Sequence, residues 1–356
     1  MSVYRTLCIS LALLFCLTGL AETFLVTSDL HLTGDGEAHQ AALEALRAAS
    51  AHVDALLLLG DSTNNAHDEE HAQVLEFLSS IDVPCYIIPG NHDVTLKISD
   101  FIDLYADYGW NSAFARDSAS GSCAVLTDGG TCLLLLDTND MPGHVAPLGG
   151  IDPSTCAWVK ETLSALPPGT PVVACGHHPI IPEERWTRTP GAEALSKVLD
   201  GVGLYLCGHD HGFAAVKLDG LQQITVGQPH AYPGWAGLLE VKDSDFHWQV
   251  IPLYDEPTRQ DMMASVMALA EGMGRGTLAG TKYEADDEAV EWFADAFEKV
   301  MSSELTNAEC ERLLNAPAAQ KWREIETKTV VKKWIFGLLE HCPQDVREIE
   351  VFPGRE

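Results

Sequence analysis

The sequence predicts an α/β fold followed by a smaller helical domain. From Glu22 to about Asp255, short apolar runs alternate with amphipathic segments, which is typical of a parallel or mixed sheet covered by helices. From Pro257 onwards the apolar residues recur at helical spacing instead. We therefore place an α/β domain at residues 22–255 and a helical domain at residues 256–356.

The elements of both domains follow from their local patterns. Predicted strands are short apolar runs, and predicted helices are longer segments with one apolar face. An Asp-Gly-Gly turn at residues 128–130 joins two further strands in a hairpin. The predicted strands are residues 24–28, 53–59, 85–88, 171–175 and 204–207, with several short strands up to residue 253, and the predicted helices are residues 37–51, 67–80, 154–165, 262–270, 285–300, 307–314 and 319–339.

Aromatic residues are frequent in the predicted helical domain. Thr306 and Glu309 have the spacing of a capping box at the start of its third helix. The aromatic side chains recur at helical spacing, so they form either the core of this domain or a stripe that binds a partner or a second copy. We favour the core for all six, which are Trp292, Phe293, Phe297, Trp322, Trp334 and Phe336.

Composition bounds the size of the core and the class of substrate. The chain has 356 residues with 46% hydrophobic content, enough for one large domain or two smaller ones. Its formal net charge of −30 repels polyanions over most of the surface. Solubility alone accounts for this acidity, but the charge also argues against a nucleic-acid polymer as the substrate.

Residues 1–21 have the pattern of an export signal. A basic residue near the start precedes an apolar stretch at residues 7–17, and small residues lead to a cleavage site after Ala21. This stretch is shorter than the roughly 20 residues of a membrane span, although an uncleaved N-terminal anchor is the alternative. We expect a secreted or cell-surface protein with no span in the mature chain. Bulky Phe15 before Cys16 argues against a lipoprotein anchor.

Two of the ten cysteines lie in the export signal, and the remaining eight permit 105 pairings. The sequence therefore does not assign disulfides. Cys85, Cys175 and Cys207 lie in apolar strands, where a buried thiol is the better interpretation. Cys310 and Cys342 flank helices and are the first pair to test. The cysteine spacings do not predict a cysteine metal site.

Polar residues follow five of the predicted strands at the point where each strand ends. The carboxyl ends of strands are where functional sites assemble in α/β sheets. One polar strand end is common, but turn chemistry does not explain five that are rich in carboxylate, amide and imidazole groups. The five segments are Asp29-Leu30-His31, Gly60-Asp61, Gly90-Asn91-His92-Asp93, Gly176-His177-His178 and Gly208-His209-Asp210-His211.

These residue types fit a centre with two metal ions. Imidazole and carboxylate groups suit Mn, Fe or Zn. One carboxylate can bridge two ions about 3.5–4 Å apart, which is the separation used in phosphoryl chemistry. The glycines let the backbone turn sharply, so that short side chains converge. The sequence therefore predicts two divalent transition-metal ions as cofactors.

Together, and in this order, the five segments resemble the motifs of the calcineurin-like metallophosphoesterases. The last segment is similar to the family's Gly-His-x-His, with Asp210 at the variable position. The resemblance covers residues 24–211 and leaves the helical domain uncovered. It implies two mixed sheets packed face to face as a sandwich, with helices outside. It also implies a metal-dependent phosphoric ester hydrolase.

The resemblance further implies a role for each residue. His92 would lie beside the phosphate, where it stabilises charge or protonates the leaving oxygen, and Asp93 would orient it. A hydroxide held by the metal ions would attack phosphorus in line. The ligands would form two sets that share one bridging carboxylate: Asp29, His31 and His211 for one ion, Asn91, His177 and His209 for the other, and Asp61 for both.

Within the family, local sequence favours a small-molecule phosphodiesterase. Asn64 stands where purple acid phosphatases have a tyrosine ligand, and "GDSTNNA" with "GNHD" departs from the phosphoprotein phosphatase motifs. Residues 136–166 resemble the corresponding segment of cyclic-nucleotide phosphodiesterases, so cyclic nucleotides are the first substrates to test. A phosphomonoesterase or nucleotidase using the same site is the alternative. A non-catalytic exported binding protein would require lost ligands, and none is lost.

Other histidines have two interpretations each. His178 contacts the substrate or supports its neighbouring ligand. His67 and His71 have zinc-binding spacing on a helix, but their acidic neighbours favour a solvated helix face. His144 and His230 lie in Gly/Pro-rich loops, which either line the substrate pocket or form ordinary surface.

Overall fold

A computed structural model describes the chain at residues 21–34, 37–94, 98–140, 148–181, 189–302, 305–326, 330–341 and 344–353. Two mixed sheets pack face to face and helices flank them, which confirms the predicted sandwich. The predicted export signal lies almost wholly outside the described residues and stays a prediction. No helix in the described part of the chain combines the length and apolar character that crossing a bilayer requires.

The first sheet has three parallel strands at one side and an antiparallel meander at the other. β1, β2 and β3 are parallel, and β13 pairs antiparallel with β1. The strand order is β15-β14-β13-β1-β2-β3. The strands are β1 (Glu22–Thr27), β2 (Ala55–Leu58), β3 (Cys85–Ile87), β13 (Trp235–Lys242), β14 (Asp245–Pro252) and β15 (Glu348–Val351).

The second sheet has four parallel strands in its centre. They are β6, β9, β10 and β12, and antiparallel strands continue the sheet on both sides. The strand order is β11-β12-β10-β9-β6-β5-β4, and β7 and β8 form a small separate pair. The strands are β4 (Ala115–Arg116), β5 (Cys123–Leu126), β6 (Cys132–Leu136), β7 (Asn139–Asp140), β8 (Gly150–Ile151), β9 (Val172–Gly176), β10 (Leu204–Cys207), β11 (Ala214–Leu218) and β12 (Leu221–Thr225).

Helices cover the outer faces of the sheets and form the C-terminal region. Two short helices, at residues 98–105 and 192–198, were not predicted from the sequence. The described helices are α1 (Glu37–Ser50), α2 (Asp68–Ser79), α3 (Ile98–Tyr105), α4 (Pro153–Ala165), α5 (Ala192–Val198), α6 (Glu256–Leu278), α7 (Asp287–Met301), α8 (Asn307–Asn315), α9 (Pro317–Glu324) and α10 (Val330–His341).

Alternation along the strands explains the layers. In β1, Phe24 and Val26 point into the core between the two sheets, whereas Leu25 packs under the helices of the outer face. In β10, Leu206 enters the same central core and Tyr205 faces the other helical layer. Period-2 alternation of apolar side chains on both faces is what a sheet buried on both sides requires.

The C-terminal helices have a hydrophobic core of their own. Trp292 and Trp322 are buried, and their indole N–H groups donate to the carbonyl oxygens of Leu313 and Ala289 at 2.9 and 2.8 Å. The interpretation of the aromatic residues as core is therefore confirmed for Trp292, Phe293, Phe297, Trp322 and Phe336, while the side chain of Trp334 lies outside the description.

The helical region differs from its prediction in three places. Helix α6 continues past residue 270 through three glycines, which lower helix propensity, because Ala270, Gly274 and Leu278 pack in the helical core. The segment predicted as one helix at residues 319–339 contains α9 and α10, separated after Glu324. Residues 348–351, placed in the helical domain by the sequence, form β15 and pair with β14 of the first sheet.

Cysteines in the described residues are buried, as predicted for those in the strands. They are Cys85, Cys123, Cys132, Cys156, Cys175, Cys207 and Cys310. Cys342 lies outside the described residues, so its pairing with Cys310 stays a hypothesis.

Candidate metal centre

The five predicted segments meet at one edge of the sandwich. Strands β1, β2 and β3 are parallel, so their carboxyl ends lie side by side, and the same holds for β9 and β10 in the facing sheet. The backbone N–H of His209, after β10, donates to the Asp29 carboxylate, after β1, at 3.1–3.2 Å. This bond joins the two sheets directly at the site.

Hydrogen bonds also lock the turns that follow β1 and β2 together. The N–H of Asp29 donates to Gly60 O at 3.0 Å, and the N–H of His31 donates to Asp61 O at 2.9 Å. An isolated parallel bridge between Leu32 and Thr63 continues the pairing beyond the strands. The two turns therefore move as one unit, and Asp29, His31 and Asp61 keep fixed relative positions.

Left-handed backbone is concentrated at these turns. A positive φ in a residue other than glycine is uncommon, costs about 1–3 kcal/mol and clusters at functional sites. Glycine is required beside them, since a side chain at Gly90 would collide with Asp61 and one at Gly208 with Ser28. The left-handed site residues are Asp29 (φ 55°), His31 (φ 45°), Asp61 (φ 49°), His209 (φ 74°) and His211 (φ 58°).

One group of side chains, the carboxylate cluster, consists of Asp29, His31, Asp61 and His211. One ligand atom from each lies within 4.8 Å of the others. His31 Nε2 lies 3.1 Å from His211 Nε2, 3.8 Å from Asp61 Oδ2 and 3.9 Å from Asp29 Oδ1. The His211 side chain is 45% exposed, so this cluster has an open side.

A second group, the imidazole cluster, consists of His177, His178 and His209, and their ligand atoms also lie within 4.8 Å of one another. His177 and His178 are fully enclosed. Asn91 joins this group, because its Oδ1 lies 3.1 Å from His209 Nδ1.

Asp61 connects the two clusters. Its Oδ2 lies 3.1 Å from His177 Nε2 and 3.8 Å from His31 Nε2. Its Oδ1 accepts a hydrogen bond from the backbone N–H of His92 at 2.7 Å. The carboxylate is therefore held in one orientation with an oxygen directed at imidazoles from both clusters.

The donor arrangement fits divalent cations. His177 Nδ1 donates to the carbonyl oxygen of Leu59 at 2.8 Å, which leaves Nε2 facing Asp61 Oδ2 at 3.1 Å, where a proton or a cation must lie between the two atoms. An imidazole whose other nitrogen donates to a backbone carbonyl is the usual arrangement of a metal ligand. Two facing lone pairs on His31 and His211 likewise need a proton or a cation between them.

Burial sets the protonation of the site in the absence of a cation. It lowers the pKa of His31 to about 3 and that of His209 to about 4, so both rings are in the neutral form that binds metals. Burial raises the pKa of Asp29 to about 7. For His177 burial acts downward, but attraction to Asp61 outweighs it and raises the pKa to about 10. A cation at this site would displace that proton.

In the described residues the Asp93 carboxylate bonds backbone N–H groups and not the His92 ring, so its expected role in orienting His92 stays a prediction. The exposed His92 ring places Nδ1 at 2.6 Å from the carbonyl oxygen of Asn64. The buried Asp93 carboxylate instead accepts the backbone N–H groups of Ser62, Thr63 and Gly90 at 2.8–3.2 Å. Through these backbone hydrogen bonds, Asp93 holds the turns after β2 and β3 together.

Sequence reasoning missed supporting residues around the centre. Thr138 Oγ1 lies 2.8 Å from His178 Nδ1, and it follows the apolar strand β6 in "LLLLDTND", so the strand-end signal was present there.

His71, expected on a solvated face, is buried and bonds the Tyr105 hydroxyl at 2.8 Å. His230 packs edge-to-face on another histidine, His39, and His144 lies outside the described residues.

Comparison with known proteins gives the family. The profile described as calcineurin-like phosphoesterase matches residues 22–213, which include all five segments. The chain belongs to this family. The family predicted from the sequence is thus confirmed, and the match ends before the C-terminal helices begin.

Similar curated proteins are phosphodiesterases by name. The chain is 29% identical over 199 residues to a probable cyclic nucleotide phosphodiesterase of Moraxella catarrhalis, covering 52% of this chain and 69% of that protein. It is 23% identical over 184 residues to a probable glycerophosphodiester phosphodiesterase of Arcobacter nitrofigilis, covering 49% and 63%. Among solved structures, purple acid phosphatase PPD1 from yellow lupin seeds matches with a TM-score of 0.45 and 12% identity, covering 67% and 52%.

Proposed function

We propose that this calcineurin-like phosphoesterase hydrolyses small phosphodiesters at the two clusters, with cyclic nucleotides as the first candidates. The observation that carries the proposal is the position of Asp61, which presents one oxygen to imidazoles of both clusters. A carboxylate shared in this way is suited to bridging two ions in phosphoryl transfer.

The proposed ligand sets follow the two clusters. One ion would be held at the carboxylate cluster by Asp29, His31, Asp61 and His211, and the other by Asp61, Asn91, His177 and His209. Bound ions of this kind neutralise phosphoryl oxygens and lower the pKa of water. The mixture of imidazole and carboxylate donors supports Mn, Fe or Zn.

The chain's own residues then position the substrate and handle the proton. The open side at His211 supports substrate entry at the carboxylate cluster. His92 is exposed beside His31, with ring centroids 4.7 Å apart, so it lies next to the position a phosphate would take. Because its Nδ1 donates to Asn64 O, Nε2 is the nitrogen that can exchange a proton with the leaving oxygen.

The names of both curated relatives support a diester over a monoester. Phosphomonoester hydrolysis is the second candidate, and it shares the same ligands.

The deciding experiment compares two chromogenic substrates with the purified chain. Hydrolysis of bis(p-nitrophenyl) phosphate should exceed that of p-nitrophenyl phosphate, should stop on chelation and should return with Mn²⁺. Metal analysis should find two ions per chain. A chain that binds two ions but hydrolyses only the monoester would replace the proposal with the phosphomonoesterase. A chain that hydrolyses neither substrate would favour a binding protein.

A second assay identifies the class of phosphodiester, that is, which alcohol groups the phosphate joins. The two curated relatives are named for cyclic nucleotides and for glycerophosphodiesters, so both classes are tested at equal concentration. We expect the 3′,5′-cyclic nucleotides to be hydrolysed with the higher kcat/KM, in agreement with the resemblance of residues 136–166. A higher value for glycerophosphodiesters would reassign the substrate class and leave the chemistry unchanged.

A further inference from the structure

His178 is a fully buried imidazole in the centre that has no role in the proposed ligand sets. Its ring centroid lies 4.5 Å from that of His209 and 5.0 Å from that of His177. Its Nε2 is buried and has no hydrogen-bond partner among the described residues. A buried polar atom without a partner costs about 1–3 kcal/mol, so this nitrogen requires an explanation.

Three contacts hold the His178 ring and its backbone in place. The hydroxyl of Tyr205 donates to His178 O at 2.8 Å. A side chain at Gly149 would come within 2.5 Å of His178 Nδ1, so only glycine allows this approach. Thr138 Oγ1 lies 2.8 Å from Nδ1. With Nδ1 on the side of Thr138 and Gly149, Nε2 is the nitrogen left to face the imidazole cluster.

The contacts of the Thr138 hydroxyl favour one tautomer of His178. Its oxygen accepts the backbone N–H of His178 at 3.1 Å. In the described part of the chain, the structure gives its proton one acceptor, His178 Nδ1 at 2.8 Å. If Thr138 donates to Nδ1, a neutral ring carries its own proton on Nε2. His178 then presents an N–H donor to the cluster and cannot offer a lone pair to a metal ion there.

We propose that the Nε2–H of His178 donates a hydrogen bond to a phosphoryl oxygen of the substrate seated at the imidazole cluster. The inference rests on the proposed phosphodiesterase function and adds a residue to it. A fixed donor aimed at an oxygen that gains charge in the transition state lowers the barrier, because it is already oriented and its environment excludes water. Thr138 is the positioning residue that keeps the proton on Nε2.

The test uses substitutions that separate hydrogen bonding from packing. His178→Leu removes the donor, whereas His178→Gln can place an amide N–H near the position of Nε2. Thr138→Val removes the hydroxyl at nearly constant volume. Thr162→Val is the matched control, because Thr162 is buried in α4 and the structure gives it no hydrogen bond to a described site residue. All variants are compared by metal content, melting temperature, kcat and inhibition by inorganic phosphate.

The expected pattern is specific to a donor. His178→Leu keeps two ions but lowers kcat for bis(p-nitrophenyl) phosphate on the order of 10²-fold and weakens inhibition by phosphate. His178→Gln recovers part of both losses. Thr138→Val causes a smaller loss alone and no further loss in the His178→Leu background, since both act through one hydrogen bond.

Other outcomes overturn the proposal. Loss of an ion in folded His178→Leu would make His178 a ligand, and unchanged kcat and phosphate inhibition would make it a packing residue. An equal loss in His178→Gln and His178→Leu would remove the donor role. If the wild-type chain hydrolyses no phosphodiester, the proposed function fails, but calorimetry of phosphate binding to the metal-loaded chain still tests His178 separately.

Discussion

The two clusters of the centre share Asp61 but differ in ligand chemistry and in access. The carboxylate cluster combines Asp29 and Asp61 with two imidazoles, and its His211 side chain is 45% exposed. The imidazole cluster is made of rings, and its His177 side chain is fully enclosed. The difference teaches that one half of the site is open to solvent, whereas the other half is enclosed and held in place by the surrounding protein.

Removing the shared residue should have the largest effect. Asp61→Ala should lose both ions and lower kcat by at least about 10³-fold, since it takes away a carboxylate that faces imidazoles of both clusters. Asp61→Asn should also be severely impaired. Metal analysis and turnover of bis(p-nitrophenyl) phosphate measure both effects.

Asp210→Asn is the control for the Asp61 variants, because it changes the same charge beside His209 and His211 at a position outside the proposed ligand sets. It should keep both ions. Near wild-type metal content in Asp61→Ala would show that Asp61 does not bridge the clusters.

Separate deletion of one imidazole from each cluster sharpens the comparison. His177→Ala should retain the ion of the carboxylate cluster, and His211→Ala should retain the other, with kcat lowered roughly 10³-fold in each. In the wild-type chain a chelator should remove the ion of the carboxylate cluster faster, because that cluster is open. Time-resolved metal analysis checks this order. Loss of both ions from either variant would show that the clusters are not separable.

His92 tests chemistry at the open cluster without removing a ligand. His92→Ala should keep both ions and lower turnover of substrates with alkoxide leaving groups by about 10²-fold, because such groups need a proton. Activated p-nitrophenyl esters should suffer less. Equal losses on both substrate types would mean that His92 stabilises phosphoryl charge instead of acting as an acid. Unchanged turnover would make it structural.

The smallest expected effect concerns the framework behind the open cluster. The Glu70 carboxylate accepts N–H groups of Asn65 and His67 in the turn after Asp61. Burial raises the pKa of Glu70, but these hydrogen bonds outweigh it and hold the pKa below its ordinary value of 4.5. Glu70→Gln should therefore lower the free energy of unfolding by about 1 kcal/mol at pH 7.

The sign of the pH dependence at Glu70 follows from the lowered pKa. The stabilisation is present above the unfolded pKa and is lost as the pH falls through the folded value, so the variant and wild type should converge in acid. Denaturant titrations at neutral and acidic pH measure the difference. A difference that grows in acid would contradict the assigned hydrogen bonds.

Much of this site could be predicted because its signal is local. Asp29, Asp61 and His177 each follow an apolar strand, and parallel pairing places such ends together without further information. The fold could be predicted for the same reason, because short apolar runs are a local pattern and indicate strands of a sheet that is buried on both faces. The role of Asp93 could not be read in this way, because it depends on which backbone donors the neighbouring turns present.

Contacts between segments far apart in the sequence also could not be predicted. Strand β15 is short, with alternating exposed and buried residues, and its partner β14 lies far away in the sequence. Helix α6 was predicted too short because helix propensity is local, whereas the packing of Gly274 against Val290 and Phe293 is tertiary. The network of Thr138, Gly149 and Tyr205 around His178 is likewise assembled from three separate segments.

After the C-terminal helices the chain returns to the first sheet, so these helices are an insertion between two strands of that sheet. Strands β14 and β15 are antiparallel neighbours, with Gln249 opposite Glu348, so the helices occupy the place of a hairpin connection between them. The helical region is therefore an insertion that is joined to the first sheet at both ends. Its movement relative to the sheet is more restricted than that of a domain joined at one end only. Loop-closure entropy grows slowly with length, so the hairpin tolerates a long insert. It follows that a short turn between Pro252 and Gln344 could replace the helices while the sandwich keeps its edge strand and the core residue Val346, whose carbonyl oxygen accepts the indole N–H of Trp248.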